Sequence, residues 1–168
     1  MSFRPIIPYS GSDGWTYLQE TLGDQKDRHR LATPSATDID LARFKSDIAS
    51  VDSVDKLLAR PDLTRVALEA FGLGEARPQT GFLRAALSAE TFDGAAFLER
   101  FKDPRLLEMA KAFGYGDNRA TPNVAAEGFG DAVVDRHRIQ AFEQAVGAAE
   151  PDMRRALAFE RFAADLGA

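Results

Sequence analysis

Cysteine is absent from the chain of 168 residues. Disulfides, thiolate catalysis, iron–sulfur clusters and most structural zinc sites are excluded with it. Imidazole is nearly as scarce: His29 and His137 are the two histidines, and no His-Glu-x-x-His spacing occurs. Neither a metal site nor a cofactor is therefore expected. An excess of basic charge is lacking too. The chain has 21 Lys plus Arg against 26 Asp plus Glu, a net charge of −5, whereas a nucleic-acid binder needs a basic stripe. Long hydrophobic runs are also missing. No stretch free of charged residues is longer than Pro5–Ser12, and a membrane-spanning helix needs about 20 mostly apolar residues. Pro5 and Pro8 interrupt the N-terminal apolar segment, which rules against a secretory signal. A soluble cytoplasmic protein without nucleic-acid binding or membrane insertion is the expectation.

What is present is helical periodicity. Leu63, Val66, Ala67, Ala70 and Phe71 fall at i, i+3, i+4, i+7 and i+8, one face of an amphipathic helix. Leu106, Met109, Ala110 and Phe113 repeat the arrangement, and Leu41, Phe44, Ile48 and Val51 make a third stripe. Ile139, Phe142 and Val146 make a fourth, and Phe159, Phe162, Ala163 and Leu166 a fifth. Trp15, Leu18 and Leu22 open a helix that runs towards Arg30, with Trp15 read as a core residue. Asp13, Thr37, Ser53 and Thr91 stand where N-caps are wanted. Pro61, Pro104 and Pro151 suit first helical positions, and Gly72, Gly114 and Gly147 suit left-handed C-terminal closures. No segment shows sustained period-two alternation bounded by hairpin turns.

The expected fold is all-α, a single domain of about eight helices without a sheet. Residues 1–12 form an extended arm and residues 13–168 the helical domain. Within that domain, a body over 13–115 is followed by a surface loop over 116–130 and a final helix pair over 131–166. A weak internal echo runs through the body: Pro61-Asp62-Leu63 leads to Ala70-Phe71-Gly72, and Pro104-Arg105-Leu106 leads to Ala112-Phe113-Gly114. Two related helical hairpins facing each other across the core account for it.

The candidate binding residues come from a tetrapeptide used twice. Asp27-Arg28-His29-Arg30 and Asp135-Arg136-His137-Arg138 repeat the same order. Arg presents a planar fork suited to oxyanions, and His responds to pH near neutrality. Arg28, His29, Arg30, Arg136, His137 and Arg138 are thus the candidates for an anion or partner site. Consecutive helical residues point in different directions, so the four side chains of one copy cannot all converge on one ligand. Solvated helix faces explain them more simply. The Gly-x-Gly pairs at Gly72, Gly114 and Gly128 lack a preceding strand and read as turns rather than phosphate loops. No serine stands in a nucleophile elbow, and Glu90, Asp93, Glu99 and Asp103 have cap and surface explanations. No enzyme signature remains.

Several segments, in order, resemble a known family. They are Gly14–Gln19, Phe44–Ile48, Asp55–Leu58, Val66–Leu73, Lys111–Tyr115, Phe142–Gly147 and Asp152–Leu157. Together they resemble an alphaproteobacterial family of helical proteins of unknown function, whose genes often lie among flagellar genes. The resemblance covers about Gly14 to Phe159. It implies no activity, cofactor or catalytic residue, and it implies a role in flagellar assembly or regulation through a protein partner. Longer members continue into further helices, so it also implies that a chain ending at Ala168 is a short member or a piece of a longer one. The resulting expectation is a non-enzymatic helical interaction module. The alternative is a sensor binding a small ligand or anion through the Arg and His side chains.

Overall fold

The computed structural model describes residues 4–32, 35–74, 79–117 and 121–167. Among them the fold is all-α, with no strand. The helices are α1 (Gly11–Ala32), α2 (Ser35–Asp47), α3 (Val54–Leu58), α4 (Pro61–Ala70), α5 (Thr80–Leu87), α6 (Gly94–Phe101), α7 (Pro104–Phe113), α8 (Phe129–Ala149) and α9 (Pro151–Gly167). Short 3-10 turns follow α2 and precede α8, at Ile48–Ser50 and Asn123–Ala125. No helix among the described residues is long and apolar enough to cross a membrane.

Contacts gather into two compact units. Met1–Ser35 and Arg138–Ala168 form the first, and Ala36–His137 form the second. This grouping joins α1 to α9 and to the part of α8 from Arg138 onward. The second unit buries the three clearest stripes of the sequence: Leu41, Phe44, Ile48 and Val51; Leu63, Val66, Ala67, Ala70 and Phe71; Leu106, Met109, Ala110 and Phe113. Phe113, fully buried, meets the rings of Phe71 at 6.2 Å, Tyr115 at 5.6 Å and Phe129 at 5.2 Å. The echo is therefore structural. Helices α4 and α7 both begin at a proline, which lacks the N–H that a first helical position leaves unpaired. Gly72 and Gly114 follow them at φ near +70°, where a Cβ would crowd the backbone.

Three of the expected caps fall elsewhere. Ser53 caps α3, accepting from the Lys56 N–H at 3.4 Å. Asp13 and Thr37 lie inside α1 and α2, which start three residues earlier than their capping roles required. Thr91 is buried and turned towards Asp117, and Asp93 caps α6 by accepting from Ala96 N–H. Gly147 continues α8 rather than ending it, and its missing Cβ makes room for the side chain of Arg154. The expected loop over 116–130 carries structure. Val124 is buried in a 3-10 turn, and the Asn123 amide donates to the carbonyls of Lys111 and Ala112 at 3.1 and 3.0 Å, closing the end of α7.

The first unit is built on a smaller core of Leu18, Phe142, Val146, Met153 and Leu157, with Ile7, Trp15 and Leu22 packed against it. Trp15 is half-buried there. Helix α9 contributes Met153 and Leu157, so the fifth stripe is corrected: Phe159 is 71 % exposed and Ala163 is exposed. The side chains of Phe162 and Leu166 lie outside the described residues.

Candidate functional site

The polar side chains of the second unit converge around α4. Its inward face carries Leu63, Val66, Ala67 and Ala70, which leaves Arg65 and Glu69 one turn apart on its edge. Arg65 donates to Asp40 of α2 at 2.5 Å and lies 3.7 Å from Glu69. Glu69 Oε2 lies 2.9 Å from Nε2 of His137 on α8. His137 is buried, and its Nδ1 has no hydrogen-bond partner among the described residues. The His137 hydrogen bond, with the Arg65 guanidinium beside it, holds the Glu69 carboxyl below the usual carboxylate range. An ionised Glu69 accepts only, so Nε2 carries the proton and donates.

Arg136, the preceding residue on α8, is equally committed. Its guanidinium stacks over the Phe71 ring at 4.4 Å, its Nε donates to the Ala70 carbonyl at 3.2 Å, and its terminal nitrogen pairs with Glu108 of α7. The cation thus satisfies a carbonyl left open at the C-terminus of α4, where positive charge is favoured. Arg136 and His137 together fasten the start of α8 to α4 and α7. Burial also raises the Tyr115 phenol, whose O–H donates to the Val51 carbonyl at 2.8 Å.

The first tetrapeptide lies on α1. Arg28 and Arg30 are exposed, and His29 meets the edge of Phe142 with ring centroids 5.8 Å apart. The second copy straddles the boundary between the units, with Arg136 and His137 in the second and Arg138 in the first. Of the six sequence candidates, Arg136 and His137 are brought together on α4, each facing a carboxylate. Their partners Glu69, Glu108 and Phe71 were not singled out as site residues. The Arg65–Glu69 spacing was the one local signal available.

Two clefts open on the second unit. One of about 400 Å³ is bordered by Leu58, Pro61, Leu68 and Leu83, with Arg65 and Glu69 on its rim. The other, of about 450 Å³, is lined by Thr91, Phe92, Lys111 and Asp117. Asp117 accepts from both the N–H and the hydroxyl of Thr91 at 2.9 Å, and Phe92 beside it is 84 % exposed. No group of three or more His, Asp or Glu among the described residues is placed to hold a metal ion.

A family model described as Protein of unknown function (DUF1217) matches residues 70–168, more than half of the chain. The chain belongs to this family. DUF1217 assigns no activity, and the matched segment includes Arg136, His137 and Arg138 but not Arg28, His29 or Arg30. Among curated proteins nothing matches the chain. Among solved structures it is similar to the crystal structure of a protein from Agrobacterium tumefaciens, with a TM-score of 0.75 and 24 % identity, over 94 % of this chain and 70 % of that one. At that identity the likeness establishes the helical fold alone.

Proposed function

We propose that this DUF1217 chain is a non-enzymatic, helical protein-interaction module of the cytoplasm, serving flagellar assembly or regulation. The observation carrying the interaction reading is the surface of the first unit, where Ile6, Tyr9, Leu31 and Phe159 are each at least half exposed. Large apolar side chains of this kind supply the buried centre of protein interfaces. The flagellar part rests on the sequence resemblance and its gene neighbourhood. Affinity capture of the tagged full-length protein from its native cells, with crosslinking, tests both parts. Enrichment of flagellar export or basal-body components over an unrelated tagged control is expected. Absence of protein partners, together with normal motility on deletion, overturns the reading.

The anion-sensor alternative has less support. Arg136 and His137 already bond to Glu108 and Glu69, so an incoming anion would meet occupied side chains and nearby carboxylates.

A further inference from the structure

The residues before α1 are held as a ligand is held. Gln25 of α1, 3 % exposed, accepts from the Ile6 N–H through Oε1 at 3.0 Å and donates from Nε2 to the Ile6 carbonyl at 2.9 Å. The same Nε2 donates to Thr21 Oγ1 at 2.8 Å, and the Thr21 hydroxyl donates to the Tyr17 carbonyl at 2.7 Å, which fixes the amide plane. One primary amide therefore satisfies both backbone groups of one residue. Such a clamp reads non-helical backbone and ignores the side chain; that of Ile6 is half exposed.

The neighbouring positions supply selection. Pro5 is buried, and Ile7 packs on the cluster that contains Trp15, Leu18 and Leu22. Arg4 and Ile7 each precede a proline, which biases both towards extended backbone. Gly14 completes the seat. A Cβ there would overlap the Tyr9 carbonyl oxygen, so only glycine lets the backbone pass this close. Beside the arm a cleft of about 540 Å³ is lined by Arg4, Pro5, Ile6, Ile7, Ala149 and Glu150, leaving room along its edge. Glu150 in that lining favours a basic residue before the proline.

We infer that this seat is a peptide-docking site, that residues 4–10 occupy it in cis, and that an extended partner segment of the pattern basic–Pro–apolar–apolar displaces them. The inference deepens the interaction reading and rests on it, by naming the surface and the partner chemistry. In cis, the arm competes at the high effective concentration of a short tether, which keeps weaker ligands out. Displacement exchanges two hydrogen bonds for two of the same kind, so the contest is decided at the positions of Pro5 and Ile7.

The test uses the full chain and a fluorescent peptide with the sequence of residues 4–10. A Pro5→Ser, Ile7→Ser double variant weakens the arm and leaves the seat intact. It is expected to bind the peptide at least tenfold more tightly than the wild-type chain. Adding Gln25→Ala is expected to remove at least tenfold of that affinity, with the helical circular dichroism unchanged. In the wild-type chain the Ile6 amide should exchange with solvent at least tenfold more slowly than in Gln25→Ala, a readout independent of peptide. Equal binding by the wild-type and arm-weakened chains, or binding indifferent to Gln25→Ala, overturns the proposal. So does a concentration-dependent dimer of the wild-type chain lost in Gln25→Ala, which assigns the seat to a second copy's arm. Because the titration uses purified chain and a synthetic peptide, it can fail while capture from cells succeeds, or the reverse.

Discussion

Glu69 and His137 stand 68 positions apart in the sequence and 2.9 Å apart in the fold, joining α4 to α8 through a carboxylate and a buried imidazole. The bond does not stand alone. Arg65 flanks Glu69 on one side, and Arg136, next to His137, reaches past the end of α4 to Glu108. Arg136 and His137 of the second Asp-Arg-His-Arg tetrapeptide thus form a fastening between helices, each bonded to a carboxylate.

That fastening has a pH signature. Glu69 has a lowered pKa in the folded chain, so its contribution to stability is complete above the unfolded glutamate value of about 4.3 and is lost as pH falls through the lower folded value. Urea midpoints of the wild-type chain and Glu69→Gln, measured from pH 3 to pH 7, should differ most between pH 5 and 7 and converge towards pH 3. A constant gap across that range counts against an ionised Glu69 holding His137.

Phe113 is the centre of the larger core, touching Phe71, Tyr115 and Phe129 while fully buried. Phe113→Ala removes those ring contacts and leaves a cavity, which costs about 3–5 kcal/mol. Denaturant unfolding of the two proteins measures it. Phe159→Ala is the control: the ring is 71 % exposed, so its removal should change stability by less than about 0.5 kcal/mol. A Phe159 variant as damaged as the Phe113 one contradicts the described course of α9.

What was legible in the sequence was local. Apolar spacing at 63–71 and 106–113 and proline at 61, 104 and 151 each follow from helix geometry within a dozen residues, and the structure keeps all of them. The fifth stripe misled because α9 has a second apolar edge. Met153 and Leu157 stand at i and i+4 just as Phe159 and Ala163 do, and tertiary contact with Leu18, Phe142 and Val146 selects between them. Gly147 looked like a helix end for a similar reason. A glycine after an apolar stripe has the same signature whether it stops a helix or admits a neighbour, here Arg154. The tetrapeptides drew attention to His137, but its partner Glu69 has no local relation to it. Gln25 and Ile6, 19 positions apart, were equally invisible, since nothing in an amide's surroundings on α1 announces a backbone clamp.

Asp93 and Asp103 test the starts of α6 and α7. Asp93 accepts from the Ala96 N–H at 3.0 Å, and Asp103 accepts from the Arg105 N–H at 2.9 Å. Replacing either by alanine should cost about 1 kcal/mol, the usual loss of a helix N-cap, and replacement by asparagine should restore most of it. Thr91→Ala acts through a different contact. It removes the hydroxyl bonded to Asp117 and leaves α6 capped by Asp93.

Glycine gives the sharpest contrast in sign. Gly23 lies inside α1, with nothing within 4 Å of the position a Cβ would take. Alanine there keeps the helix and narrows the unfolded ensemble, so Gly23→Ala should stabilise the chain by about 0.5–1 kcal/mol. Gly114 ends α7 at φ +69°, and a Cβ would come within 3.0 Å of the Asn123 amide that closes the same helix. Gly114→Ala therefore forces a left-handed backbone on an L side chain and presses on its cap, a loss of about 1–2 kcal/mol or more. Thermal unfolding of the two single variants beside the wild-type chain should give shifts of opposite direction. Two shifts of the same sign would mean that α1 is not continuous through Gly23, or that α7 does not end in a left-handed turn.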